Sequence, residues 1–131
     1  MEAAKRTYEL DGRCFQTLEQ FFVVAVRLLA PDDADLLGHN LDSFNSFLHD
    51  VDDTLDEEYR LIWRQSETSR VAFGYPETVR QLHRKLAQCH PTNRSRVAEE
   101  LHAAQSGCGP TVFDWLLEVF RCHDKIELIL D

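Results

Sequence analysis

Three short runs of branched and aromatic residues constrain the fold most: Tyr8–Asp11, Tyr59–Trp63 and Ile126–Leu130. Such residues suit a pleated, half-buried surface. Long stretches of helical periodicity separate the runs, where hairpins would need only tight turns. Strands joined in this way need crossovers. The expected fold is therefore α/β, a small three-stranded parallel sheet packed by helices. The chain has 131 residues and is 44% apolar, enough for one core and read as a single domain over 1–131.

The first helix is predicted from Thr17 to Pro31, with Gln20 completing a capping-box pattern. Leu18, Phe21, Phe22, Ala25 and Leu29 form its main stripe, and Val23, Val24, Val26 and Leu28 widen it nearly all round, as in a helix buried on most sides. Further helices are expected over Leu41–Val51, Pro76–Cys89, Ser95–Ala104 and Pro110–Cys122. Arg64–Gly74 reads as a loop, and so does the Asp-rich run after Val51. Trp63 and Trp115 are expected in the core.

The stretch Gly38 to Leu48 is the most specialised. Asn40 is a fitting N-cap, and Leu41, Phe44, Phe47, Leu48 and Val51 give one apolar stripe. The other side of the helix presents Asp42, Ser46, His49 and Asp53. Asp42 lies in the first turn, where the macrodipole favours a carboxylate. Net charge is −9, and its placement matters more than its size. Between Pro31 and Glu58 lie ten of the 23 acids and none of the 14 Lys and Arg residues. A block of that sign argues against phosphate-backbone binding and suits a basic partner that is steered to it electrostatically, the alternative being a solvated acidic face that only aids solubility.

The residues after Met-Glu-Ala-Ala-Lys-Arg are polar, and the longest apolar run, Phe21–Ala30, is short and broken by Arg27. No secretory or membrane segment is expected, which makes the expected location cytoplasmic and the four cysteines (Cys14, Cys89, Cys108, Cys122) reduced.

Four segments in order carry a family resemblance. They are Leu10-Asp11-Gly12 with Phe15, Leu18 and Phe21; Gly38-His39-Asn40-Leu41-Asp42; Leu61-Ile62-Trp63-Arg64-Gln65 with Glu67 and Ser69; and Val112 to Leu130. The sequence resembles the barstar family of small intracellular ribonuclease inhibitors. The resemblance implies a barstar-like sheet with an extra helical insertion at about 71–107, locally basic through Arg80, Arg84, Lys85, Arg94 and Arg96. It implies inhibition by occlusion, in which a loop and the following helix plug the active site of a basic ribonuclease and acids stand in for RNA phosphates. Carried over, the loop positions are Leu36, Leu37, Gly38 and Asn40, the first helical acid is Asp42, and the supporting acid on the last helix is Glu118.

Three positions depart from the family's pattern. Ser46 stands where the family has its main anionic anchor, Asn45 where it has an aromatic, and Leu36 where it has a loop Tyr. Asp53 and His49 share the helix face and extend the contact along it. These changes fit an immunity protein for a different basic toxin, a secreted ribonuclease. The implied protein is a monomer when free, with no catalytic residue, cofactor or metal.

Other chemistry is weaker. Asp42 with Glu118 and a His is the alternative acid–base or metal-dependent site, and a module for another basic protein is the alternative within binding. Cys89-His90 and Cys122-His123 have poor spacing for tetrahedral zinc and read as helix ends. His49 reads as a solvated surface residue on the proposed face.

Overall fold

The computed structural model describes residues 6–30, 40–55 and 57–131. Its sheet consists of β1 (Arg6–Asp11), β2 (Tyr59–Arg64) and β3 (Ile126–Leu130), all parallel, in the order β1-β2-β3. Helices α1 (Leu18–Leu29) and α2 (Leu41–Leu55) lie between β1 and β2. Helices α3 (Ser66–Ala72), α4 (Tyr75–Gln88), α5 (Arg94–Gln105) and α6 (Val112–Arg121) lie between β2 and β3. This is the α/β arrangement that the three separated strands imply.

Alternation along β2 sets the two faces of the sheet. Tyr59, Leu61 and Trp63 are buried. Between them, the outer face carries cross-strand ion pairs: Arg64 with Glu9 at 2.7 Å and with Asp131, and Arg60 with Glu127 at 3.2 Å. The core is aromatic. The ring of Phe21 contacts those of Phe15, Phe22, Phe44, Trp63, Phe73 and Phe120. This knot joins α1, α2, β2 and α6 in one cluster.

The ends of the elements follow from local chemistry. Thr17 caps α1 by accepting from the Gln20 N–H, whereas the Gln20 side chain reaches the Gln16 N–H and leaves the expected box unreciprocated. Thr111 and Asp114 form a full capping box at α6. At Gly12 a Cβ would meet Ser69 Oγ at 2.3 Å and the Gln65 carbonyl at 2.6 Å, so only glycine fits there.

Two expectations are corrected. Residues 64–74 are not a loop, because they hold α3. That helix hides from periodicity because its buried residues are Ser66 and Ser69. Ser69 accepts from the indole N–H of Trp63, and the Ser66 backbone and hydroxyl both donate to the Asp131 carbonyl. The central helix also does not stop at Val51. It continues to Leu55, because Asp52 is drawn inward to side chains from β2 and from beyond α6.

Helices α4 and α5 pack as a hairpin around a small core of Leu82, Val97, Leu101 and Ala104, with Trp115 bridging from α6. Buried polar bonds lock the hairpin to the body. Glu77 accepts from the Leu18 N–H at 2.8 Å, and Thr78 accepts from the Val112 N–H at 2.9 Å. Arg80 bonds both Glu19 and Glu77, and Arg84 also bonds Glu19. Two of the cations between residues 80 and 96, Arg80 and Arg84, are thus committed to α1 and to α4 itself. Burial is the largest influence on Glu19 and Glu77 and opposes their ionisation, but the hydrogen bonds from Arg80, a backbone N–H and Gln81, with the Arg80 charge, together hold both carboxyls below the usual range.

Candidate functional site

The outer flank of α2 is built from its cap onward. Asn40 accepts the Ser43 N–H at 2.8 Å through its side chain, which fixes where the helix begins. Asp42 follows in the first turn and is exposed, as are Ser46, His49 and Asp53, while Asn45 is half-buried. The apolar stripe beneath, Phe44, Leu48 and Val51, is buried against the core and holds the helix in this orientation.

Asn40, Asp42, Asn45 and His49 line an open depression of about 1050 Å³, and Glu118 of α6 lines it too. Five of the ten residues picked from sequence therefore meet at one hollow, although Glu118 is far from the others in the chain. Ser46 and Asp53 are exposed on the same helix but are not among its lining residues. Leu36, Leu37 and Gly38 lie outside the described residues.

The opposite wall comes from the α4–α5 hairpin, with Arg84, Lys85 and Gln88 of α4 facing the hollow. Periodicity finds those helices but not their place in the fold, because Glu77, Thr78 and Arg80 tie α4 to α1 and to the start of α6. The depression thus has carboxylates on the α2 and α6 side, while its hairpin side mixes Arg84 and Lys85 of α4 with Glu100 of α5.

Sequence reading missed a buried network directly under this flank. His123, only 3% exposed, bonds Asp52 Oδ2 through Nδ1 at 2.8 Å and faces Asn45 Oδ1 through Nε2 at 2.7 Å. The Tyr59 hydroxyl donates to Asp52 Oδ1 at 3.3 Å, and Lys125 Nζ donates to the Asp52 carbonyl at 3.1 Å. Burial, then the Asp52 carboxylate, pushes the Tyr59 phenol well above its ordinary value. His49 lies against His123 with ring centroids 4.4 Å apart. Asn45, His49 and Asp52 recur every three or four residues along α2, which is the one signal that could have linked them; nothing in the sequence points to His123 as their partner. Of the other pair considered, His90 caps the following turn through Thr92, and Cys89 Sγ contacts the Leu86 carbonyl at 3.6 Å.

The family model described as "Barstar (barnase inhibitor)" matches residues 5–99. The chain belongs to the barstar family. The matched span holds β1, α1, α2, β2, α3, α4 and part of α5. Residues 100–131, with Glu118, lie outside it, and their strand β3 pairs in parallel with β2 to complete the sheet. No curated protein and no solved structure matches the chain significantly. Members of the barstar family are inhibitors rather than enzymes, and the exposed acids of α2 lie where the motif Gly38-His39-Asn40-Leu41-Asp42 leads. Among the described residues, no helix is long and apolar enough to cross a membrane.

Proposed function

We propose that this barstar-family chain is an immunity protein that occludes the active site of a basic, secreted bacterial ribonuclease. The binding surface is the loop at Leu36, Leu37 and Gly38, then Asn40, Asp42, Asn45, Ser46, His49 and Asp53, with Glu118 as the supporting acid. The observation that carries this reading is the convergence of Asn40, Asp42, Asn45, His49 and Glu118 on one depression. Asp42 and Glu118 offer carboxylates to the arginines and lysines that a ribonuclease uses to hold phosphate. No catalysis or cofactor is required. The protein acts in the cytoplasm as a monomer and as one domain.

The departures set the character of the target. With Ser46 in the second anionic position, the central charge contact moves toward Asp42, Asp53 and Glu118. The hairpin wall adds Lys85 beside the face, so the toxin presents an acidic or neutral rim opposite α4. Affinity capture from secretions of the source organism tests this, with wild type run beside an Asp42→Lys/Glu118→Lys variant. The expected result is a basic protein with RNA-cleaving activity that wild type retains and the variant loses. Equal retention of that protein by both overturns the proposed face.

A further inference from the structure

We propose that His49, Asp52 and His123 form a binding site for a divalent transition metal of the Zn²⁺ class, at the flank of the acidic face. This goes beyond the inhibitor reading and stands whether or not the face binds a ribonuclease.

The first argument is proximity. One donor atom from each of the three residues can be chosen so that all lie within 4.8 Å of one another. Tetrahedral zinc with bonds of about 2.0–2.1 Å sets its donors about 3.3 Å apart, so closure by at most about 1.5 Å completes the set. His49 is the exposed member, on an open hollow, and its side chain is free to supply that movement. Asp52 Oδ2 and His123 Nδ1 stand at 2.8 Å, so this pair opens by about 0.5 Å to reach the tetrahedral spacing.

The second argument is the hydrogen-bond count at His123. Both ring nitrogens face acceptor oxygens, Asp52 Oδ2 at Nδ1 and Asn45 Oδ1 at Nε2. A neutral imidazole has one N–H to give. With that hydrogen on Nε2, donated to Asn45, the lone pair of Nδ1 confronts a carboxylate oxygen. The conflict is removed by a second proton, by the hydrogen moving to Nδ1 while the Asn45 amide turns to donate to Nε2, or by a metal ion that takes the Nδ1 and Oδ2 lone pairs. Metal-bound histidines commonly donate their other ring N–H to a carbonyl, which is the role Asn45 Oδ1 fills here. Tyr59 donates to the remaining oxygen of Asp52 and orients the carboxylate.

The donor set selects the metal. Two imidazoles and one carboxylate suit zinc and its neighbours, whereas magnesium and calcium prefer all-oxygen shells. Three protein donors leave a fourth position for water or for a partner's side chain. Lys125 near the Asp52 backbone opposes added positive charge, while Asp50 and Asp53 on the same helix favour it, so the affinity falls short of a closed structural site.

The test is calorimetric titration of the purified full chain with Zn²⁺, alongside absorption spectra with Co²⁺. The expected result is one Zn²⁺ per chain, a raised thermal midpoint, and Co²⁺ bands without thiolate charge transfer. In His49→Ala, whose exposed position leaves the core intact, affinity should fall about tenfold or more while the circular dichroism is unchanged. Three results would each overturn the proposal: no binding by wild type, equal binding by His49→Ala, or a thiolate band showing that the free cysteines hold the metal.

Discussion

Gly12 and Ser69 show how closely single side chains govern this fold. The Gly12 backbone passes so near Ser69 Oγ and the Gln65 carbonyl that any Cβ collides. Ser69 is itself held by the Trp63 indole, deep in the core, and cannot retreat. Gly12→Ala should therefore destabilise the protein by about 1–3 kcal/mol, as overpacking does. A urea unfolding curve checks this, and a midpoint equal to wild type would contradict the close approach. Phe21→Ala, at the centre of the aromatic knot, should cost more, about 3–5 kcal/mol, in the same measurement. The core role of Phe21 is readable from its place in the apolar stripe. The need for glycine at 12 is not, because the atoms it avoids come from residues 65 and 69.

Among the described residues, five of the six α-helices announce themselves by period and the three strands by their branched and aromatic residues. Helix α3 does not, because its buried side chains are serines that bond an indole and a strand end. The extension of α2 was hidden for a related reason. Asp50, Asp52 and Asp53 look like a solvated run, yet Asp52 is 8% exposed and bonded to Tyr59 and His123. The docking of α4 makes a prediction about acid stability. The carboxyls of Glu19 and Glu77 titrate below their ordinary 4.5 in the folded chain. As pH falls, the unfolded chain takes up protons first. The stabilisation from the clamp is therefore full above about pH 4.5 and is lost as pH drops through the lower folded values. Urea midpoints measured between pH 6 and 3 should fall in wild type. They should fall less steeply in Glu19→Gln/Glu77→Gln, and equal slopes would contradict the clamp.

Across the whole molecule, charge is divided between an acidic segment around α2 and a remainder close to neutral. That division was legible in composition alone, and the apolar stripe of α2 foretold which of its sides is exposed. The hollow was not legible. Its walls belong to α2, α4 and α6, and the contacts that place them are long-range, 34 residues between Thr78 and Val112, 59 between Glu77 and Leu18 and 78 between His123 and Asn45. A face of this kind should steer a basic partner, so association should slow steeply between low and physiological salt while dissociation changes little. Stopped-flow mixing at two ionic strengths checks that. The most direct measurement of all is RNA cleavage by the captured ribonuclease, titrated with wild type and with Asp42→Lys/Glu118→Lys. Occlusion by the acidic face predicts that wild type abolishes cleavage near one equivalent and that the charge-reversed variant, equally folded, needs a large excess. Equal inhibition by both proteins, or none by wild type, would contradict it.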